Sequence, residues 1–205
     1  MLHGGALWSI AVAYLLGSIP FGLLLTRLAG MGDIRRIGSG NIGATNVLRT
    51  GSTKLAALTL LLDAGKGAAA VLLARSFGPD SAALAALAVV IGHMFPLWLG
   101  FKGGKGVAPA GGALLAYVPL VGVAAGATWL AVVLATRYSS LAAIVATLLA
   151  PLYAWLVTRD AGATATVLAI ALLVLWRHRA NMQRLVRGEE SRITLGRHGA
   201  SRPPG

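Results

Sequence analysis

Long apolar runs constrain this chain more than any other feature of its sequence. A membrane-spanning helix needs about 20 apolar residues, and five runs reach or approach that length. They are Leu7 to Leu28, Leu55 to Ala74, Ala82 to Leu99, Leu141 to Val157 and Ala161 to Trp176. With 57% hydrophobic and 12% charged residues, the 205-residue chain lies outside the range of a soluble globular domain. The sequence therefore predicts an all-α integral membrane protein.

A sixth apolar run, Val107 to Thr136, is long for a single spanning helix. Pro119, Gly122 and Gly126 lie near its middle, where a break is expected. The run can cross the membrane once, or it can form a hairpin of two short helices of about 15 residues each, with a rise of about 1.5 Å per residue.

The positive-inside rule favours the hairpin. With the N-terminus outside, a hairpin leaves 15 of the 18 lysines and arginines on the cytoplasmic side. The exceptions are Lys66, within a span, and Arg75 and Arg159 outside. A single crossing instead places Arg137 and the basic segment after Trp176 outside. We therefore expect a seven-helix bundle with some short or broken helices, the N-terminus outside and the C-terminus cytoplasmic.

A net charge of +12 would suggest a nucleic-acid partner in a soluble protein, but here the basic residues lie between apolar spans. Membrane topology explains them, so no nucleic acid is expected. Residues 1–191 are predicted to form one transmembrane domain, whose first run is retained and not removed as a signal peptide. Residues 192–205 are predicted to be a flexible cytoplasmic tail.

The segment from Gly38 to Arg49 is polar and glycine-rich, which suits an anion. Gly38, Gly40 and Gly43 allow positive φ values, with which backbone N–H groups can surround a phosphate. Arg49 can bind a phosphate through two parallel hydrogen bonds. Neutral donors in the segment are Ser39, Asn41, Thr45 and Asn46.

Three further polar segments fall on the same predicted face. Phe101 to Gly106 brings two lysines to a helix N-terminus, which suits a phosphate, although a tight turn is the plainer interpretation. A helix continuing past the last span places His178 and Asn181 on one side, but such a basic segment is also typical of an anchor for anionic lipids. Arg137 to Ser140 is a short polar loop that can equally be a plain turn between spans or part of the site.

Asp63 and Lys66 lie three residues apart within a predicted span, where ionisable side chains are usually paired or functional. We prefer a structural ion pair facing the bundle interior over direct catalysis. His93 can be either a packing residue or part of the site, and we favour packing. The sequence contains no metal-ligand spacing, no carboxylate cluster, no Gly-x-Ser-x-Gly elbow and no cysteine. Neither a metal nor a cofactor is expected.

Five motifs, in order, resemble the PlsY family of bacterial acyl-phosphate:glycerol-3-phosphate acyltransferases over nearly the whole chain. They are Gly38 to Arg49, Asp63-x-x-Lys66-Gly67, Gly92-His-x-Phe-Pro96 with Phe101 to Ala108, Arg137-Tyr-x-Ser140, and His178-x-x-Asn181-x-x-Arg184. The resemblance implies an inner-membrane enzyme with a cytoplasm-facing site. Such an enzyme moves a fatty acyl group from acyl phosphate to the sn-1 hydroxyl of glycerol 3-phosphate, the first step of phosphatidic acid synthesis. It also implies a functional link to an enzyme that produces acyl phosphate.

The resemblance assigns the family's site residues to the matching positions of this chain. The acyl-phosphate site would comprise Ser39, Gly40, Asn41, Gly43, Ala44, Thr45 and Asn46. The glycerol-3-phosphate site would comprise Arg49, Lys105, Ser140, His178 and Asn181. The catalytic residues would be Ser39, Arg49, Lys105, His178 and Asn181. Glu189 or Glu190 falls where the family has a structurally important glutamate, and Pro109 stands where relatives usually have threonine.

The implied reaction needs no protein nucleophile, because acyl phosphate is already activated and the enzyme mainly has to bring two anions together. Either a phosphate oxygen of the substrate or His178 takes the hydroxyl proton. The acyl chain would lie between helices. Two other function classes stay open: an organic-phosphate transporter, which predicts polar groups near the middle of the membrane, and a lipid-binding scaffold.

Overall fold

The computed structural model describes residues 4–193, so the predicted tail lies almost entirely outside the described residues. All regular structure within that range is helical. The helices are α1 (Gly4–Gly17), α2 (Phe21–Leu28), α3 (Ala44–Leu48), α4 (Thr53–Arg75), α5 (Pro79–Met94), α6 (Val107–Tyr117), α7 (Pro119–Thr136), α8 (Ser139–Thr158), α9 (Ala161–Arg177) and α10 (Arg179–Val186).

Several helical stretches have the length and composition of membrane spans. Five qualify: Leu7–Leu28, Thr53–Arg75, Pro79–Leu99, Pro119–Thr136 and Ser139–Thr158. A sixth qualifies when α9 and α10 are taken together across their bend of 58°. Large side chains such as Leu61 and Leu134 are 68% and 70% exposed, as expected where lipid replaces water as the solvent. The predicted class, an all-α integral membrane protein, is confirmed, while the number of crossings and the orientation of the termini stay predictions.

The sixth apolar run forms the predicted hairpin. A Cβ atom on Gly122 of α7 would lie 2.7 Å from the Cα atom of Leu115 in α6. Residues seven apart in a continuous helix are separated by about 10 Å, so the chain reverses direction at Val118. The expected halves of equal length are wrong, because α6 has 11 residues and α7 has 18. The break falls where Pro119 starts α7, since proline is favoured at the first helical position.

The first apolar run, predicted as one span from Leu7 to Leu28, is one candidate span, but its helix is interrupted. Three residues ending at Pro20 separate α1 from α2. Proline lacks the N–H group that a helix interior requires. The carbonyl of Ile19 in this break instead accepts a hydrogen bond from Lys66 Nζ at 2.7 Å.

Lys66 also belongs to a buried cluster with Asp63 and His93. Its Nζ lies 2.7 Å from Asp63 Oδ1 and 3.0 Å from His93 Nδ1. None of the three residues is more than 5% exposed. The ammonium group thus has hydrogen-bond contacts with the carbonyl of Ile19 and with His93, in addition to its ion pair with Asp63. The predicted ion pair is confirmed, and His93 is its third member.

Small residues bring α4 and α6 into close contact. A Cβ atom on Gly112 would lie 1.8 Å from the carbonyl oxygen of Ala64, and one on Gly67 would lie 2.1 Å from that of Pro109. Such glycine contacts are typical of helix pairs in membranes. The contact lies near the middle of α4 and in the first half of α6. The loop that precedes α6 therefore reaches into the bundle beside the buried cluster.

Candidate active site

A cavity of about 820 Å³ lies among α3, α4, α6, α7, α8 and α9. Its lining is polar at Ser140, near the start of α8, and at His178, directly after α9. It is apolar further along the same helices, at Ala150 in α8 and at Val167 in α9. These positions are about ten residues apart, so the apolar part extends about 15 Å beyond the polar end. The cavity thus joins a polar end to an apolar limb between the helices.

Nearly all of the predicted site residues line this cavity. They are Ser39, Asn41, Gly43, Ala44, Thr45, Asn46, Arg49, Lys105, Ser140, His178 and Asn181. Gly40 is the exception, and Pro109 is also not among the lining residues. Four segments that are distant in the sequence therefore meet at one place, although the role of each residue stays a prediction.

The glycines of the Gly38 to Arg49 loop match the predicted anion nest only in part. Gly38 and Gly40 have φ values of +55° and +69°, as predicted. The expectation for Gly43 is wrong, because its φ is −84° and its ψ is 168°. Gly43 is the N-cap residue of α3, a position at which extended dihedral angles are normal.

Asn46 holds this loop in place. Its Nδ2 group donates to the carbonyl oxygens of Ile34, Ile37 and Asn41 at 3.1, 2.9 and 2.8 Å. Its Oδ1 atom accepts from the backbone N–H of Ser39 at 3.1 Å. The residue is only 1% exposed. Asn46 therefore organises the loop through its side chain, and its role as a direct ligand stays a prediction.

Two contacts connect this loop to other parts of the site, and the sequence analysis found neither. The hydroxyl of Thr45 lies 3.0 Å from that of Ser139 at the start of α8. The guanidinium of Arg49 bonds Asn46 Oδ1 at 3.3 Å and also the hydroxyl of Ser191. The segment after α10 therefore closes over the loop.

His178 lies at the bend between α9 and α10. The helix continues past the last span, as predicted, but it turns by 58° at this residue. Both His178 and Asn181 are nevertheless buried at the cavity, with exposures of 2% and 3%. His178 Nδ1 lies 2.7 Å from the carbonyl oxygen of Val174, so the neutral ring carries its proton on Nδ1. Its Nε2 atom is then free to accept a proton.

Glu190 is a site residue that the sequence analysis could not separate from Glu189. Its Oε1 atom accepts from Ser140 Oγ at 2.9 Å and from Asn181 Nδ2 at 2.7 Å. Its Oε2 atom pairs with Arg184 Nε at 2.7 Å. Burial raises the pKa of Glu190, but these hydrogen bonds outweigh burial and hold the pKa below its usual range. Glu190 is therefore an ionised group that orients its partners.

The contact of Asn181 with Glu190 leaves the side-chain oxygen of Asn181 without a donor. The Nδ2 group of Asn181 must face the carboxylate, so Oδ1 points elsewhere. This oxygen is buried and has no hydrogen-bond partner among residues 4–193. A buried acceptor without a donor costs about 1–3 kcal/mol. A hydroxyl group bound in the cavity would supply that donor.

Lys105 is a cation available to a ligand. It lines the cavity, and within the described range its ammonium group forms no hydrogen bond or ion pair. Burial lowers its pKa to about 8; the attraction of Glu190 opposes this shift, while the positive charges of Arg184, Arg49 and Arg177 add to it. An anion would relieve the repulsion among these cations.

Comparison with known proteins identifies relatives along almost the whole chain. The sequence profile of the family described as glycerol-3-phosphate acyltransferase matches residues 7–188. A glycerol-3-phosphate acyltransferase of Sinorhizobium medicae is 56% identical over 185 residues, which is 90% of each chain. One from Rhodospirillum rubrum is 59% identical over 190 residues, covering 88% of this chain and 87% of the relative.

Two crystal structures share this fold. The glycerol 3-phosphate form of PlsY, an integral membrane glycerol 3-phosphate acyltransferase, superposes with a TM-score of 0.89 at 43% identity. The match covers 93% of this chain and 96% of that one. The lysophosphatidic acid form of PlsY gives a TM-score of 0.86 at 42% identity.

Proposed function

The chain belongs to the PlsY family of membrane glycerol-3-phosphate acyltransferases, and we propose that it transfers a fatty acyl group from acyl phosphate to the sn-1 hydroxyl of glycerol 3-phosphate. The products are lysophosphatidic acid and phosphate. One observation carries this proposal: a cavity joins a polar end with unpaired binding groups to an apolar limb about 15 Å long. An amphipathic donor and a small polar acceptor fit these two parts.

The acyl phosphate would place its phosphate at the Gly38 to Asn46 loop. Ser39 and Thr45 line the cavity there with hydroxyl donors, and Arg49 adds a charge. The acyl chain would then extend along α8 and α9 toward Ala150 and Val167. This arrangement leaves the carbonyl carbon at the boundary between the polar end and the apolar limb.

Glycerol 3-phosphate would occupy the side of the cavity formed by α10 and the loop before α6. Lys105 and Arg49 would bind its phosphate. Its sn-2 hydroxyl would donate to Asn181 Oδ1, which has no other donor among the described residues, and its sn-1 hydroxyl would donate to His178 Nε2, the proton acceptor of the proposed reaction. Two hydroxyl donors thus meet two free acceptors.

In the proposed reaction, the sn-1 oxygen attacks the acyl carbonyl carbon while His178 Nε2 accepts the hydroxyl proton. The new C–O ester bond forms, and the bond between the carbonyl carbon and the phosphate oxygen breaks. The departing phosphate then takes the proton from the imidazole, which returns the enzyme to its starting state. Lys105 and Arg49 offset the repulsion between the two phosphates. No covalent enzyme intermediate is needed.

We also propose that residues 1–191 act as one domain in the bacterial inner membrane, with the site facing the cytoplasm. The distribution of lysine and arginine supports this orientation. An enzyme that produces acyl phosphate would supply the donor, which its apolar chain can deliver through the bilayer. The transporter alternative fits less well, because the lining along α8 and α9 is polar at one end only, and the ionisable residues Asp63 and His93, which also line the cavity, are paired with Lys66.

The purified protein in detergent, given palmitoyl phosphate and glycerol 3-phosphate, is expected to form lysophosphatidic acid and inorganic phosphate. Palmitoyl-CoA offered in place of palmitoyl phosphate is expected to give no product. Product formation from palmitoyl-CoA alone would overturn the proposed donor. Uptake of glycerol 3-phosphate into proteoliposomes without acylation would support the transporter instead.

The rate of transfer should depend on the charge of Lys105. The free enzyme's pKa of about 8 at this residue means that the ammonium form predominates below pH 8 and the neutral amine above it. Because the ammonium attracts the substrate phosphate, kcat/KM for glycerol 3-phosphate should be highest near pH 7. It should fall about tenfold per pH unit well above pH 8. Initial rates between pH 6 and 10 measure this profile.

A Lys105→Arg variant provides the matched control. Arginine stays protonated over this range, so its profile should stay flat from pH 7 to 10 even if its overall rate is lower. The charged groups that act on residue 105, namely Arg49, Arg177, His178, Arg184 and Glu190, are the same in both proteins. An alkaline decline of equal size in the variant would rule out Lys105 as its source.

A further inference from the structure

Lys105 belongs to a loop whose backbone is hydrogen-bonded to the end of α5. The N–H of Gly103 donates to the carbonyl of Met94, and the N–H of Gly104 donates to that of His93, both at 3.0 Å. These carbonyls belong to the last turn of α5, where no helical donor follows. A Cβ atom on Gly104 would lie 2.0 Å from His93 Nε2. The loop therefore lies directly on the imidazole ring.

The carbonyls of the same two glycines are bound by one side chain from α9. Arg177 Nη2 donates to Gly103 at 2.8 Å, and Arg177 Nε donates to Gly104 at 3.0 Å. The guanidinium also lies 5.7 Å from the ring of Phe95 and 5.8 Å from that of Trp176, within the range of cation–π attraction. All four backbone polar groups of the two glycines are thus paired.

We propose that Arg177 is a positioning residue that sets the place of Lys105 in the cavity. By binding two successive carbonyls, it fixes the backbone immediately before Lys105 and hence the direction of the ammonium group. Arg177 is not itself among the residues that line the cavity, so it acts through the loop. The inference rests on the proposed function, in which Lys105 binds the phosphate of glycerol 3-phosphate.

The position of Arg177 also couples two parts of the site. It is the last residue of α9 and directly precedes His178. One helix end therefore carries the group that accepts the proton and the group that holds the phosphate-binding loop. A shift of this helix end would move His178 and Lys105 together, so the distance between the proton acceptor and the phosphate-binding group would be kept.

Two substitutions separate the geometry of Arg177 from its charge. Arg177→Lys keeps the positive charge but loses the planar fork that binds two carbonyls at once. Arg177→Gln loses both the fork and the charge. The matched control is Arg179→Gln, because Arg179 lies over the ring of Trp176 at 4.7 Å and, in the described part of the chain, makes no hydrogen bond to the loop.

Steady-state kinetics give the first readout. In Arg177→Lys and Arg177→Gln, KM for glycerol 3-phosphate should rise about tenfold, as expected for the loss of charge-assisted hydrogen bonds. KM for palmitoyl phosphate should stay within about twofold, because the Gly38 to Asn46 loop is untouched. In Arg177→Gln alone, the alkaline decline should also move to higher pH, since one of the cations near Lys105 is gone. The other charges around it, from Arg49, Arg184 and Glu190, remain.

An unchanged KM for glycerol 3-phosphate in both Arg177 variants of an active enzyme would overturn the inference. An equal rise of both KM values, or the same defect in Arg179→Gln, would show a general structural role instead and would also overturn it. Absence of transfer by the unmodified protein, in contrast, would count against the proposed function only.

Chemical labelling tests the same inference without any substrate. Acetic anhydride modifies neutral amines, and mass spectrometry can compare Lys105 with Lys102, an exposed lysine of the same loop. At a pH high enough to keep both lysines neutral, release of the loop in Arg177→Lys should raise the labelling rate of Lys105 several-fold and leave that of Lys102 unchanged. Equal rates at Lys105 in the unmodified protein and in Arg177→Lys would contradict the positioning role.

Discussion

Replacing His178 with glutamine should lower kcat for acyl transfer about 10²- to 10⁴-fold, the usual contribution of a positioned general base. Glutamine can still donate a hydrogen bond to the carbonyl of Val174, which the imidazole now contacts at 2.7 Å. It cannot accept the hydroxyl proton. KM for both substrates should therefore change only a few-fold. Initial rates at saturating concentrations of both substrates measure the effect.

The pH profile of the same variant identifies the proton acceptor. If His178 accepts the proton, kcat of the unmodified enzyme falls at acidic pH as the imidazole becomes protonated, and this decline is absent from His178→Gln. Normal turnover of His178→Gln at saturation would show that a phosphate oxygen of the substrate takes the proton. The histidine would then serve only to bind glycerol 3-phosphate.

Replacing Lys66 with methionine should destabilise the protein by about 3–5 kcal/mol, as expected when one partner of a buried ion pair is removed. The carboxylate of Asp63 would be left in the bundle without its 2.7 Å partner. The carbonyl of Ile19, in the break between α1 and α2, would lose the shorter of its two hydrogen bonds as well and keep only the 3.2 Å bond from the N–H of Phe21. Unfolding of the purified protein in detergent, followed by circular dichroism, measures the loss.

Two further variants show whether the uncompensated charge is the cause. The double variant Asp63→Leu with Lys66→Met removes both charges and should recover most of the lost stability, because apolar replacement of a buried pair is often neutral. Lys54→Met, at an exposed position in the first turn of α4, should change stability by less than about 0.5 kcal/mol. A double variant as unstable as Lys66→Met would contradict this explanation.

The helices that cross the membrane were predictable because their cause is local. A bilayer requires about 20 apolar residues per helix, and the runs in α4, α5 and α8 satisfy that requirement within the sequence itself. Pro119 predicted a break in the sixth run, because proline disfavours a helix interior, and the positive-inside rule favoured a hairpin at that break. Pro151, by contrast, lies inside the continuous helix α8. The interruption before Pro20, which leaves Leu7–Leu28 a single candidate span, was not predicted, because the surrounding run is apolar and Lys66, which binds the carbonyl of Ile19, lies 47 residues beyond it.

The site was predictable where its residues belong to recognisable motifs. Ser39, Arg49, Lys105, His178 and Asn181 were identified from their family resemblance, and all five line one cavity. The residues that hold them were not found in the same way. Arg177 was predicted only as one member of a basic segment, Ser139 only as part of the Arg137 to Ser140 loop, and Ser191 was given no role.

The sequence by itself determined the membrane environment and the helical class, and it predicted a phosphate site in the polar loops. These properties depend on the length of apolar runs, on the positions of prolines and on local clusters of hydrogen-bond donors, which can all be identified in the sequence. Only the tertiary structure decided which acceptor stays free on Asn181, which glutamate binds Ser140, and which arginine holds the loop of Lys105. Those choices depend on how helices pack, since a hydrogen bond needs its partners within about 3 Å whatever their separation in sequence.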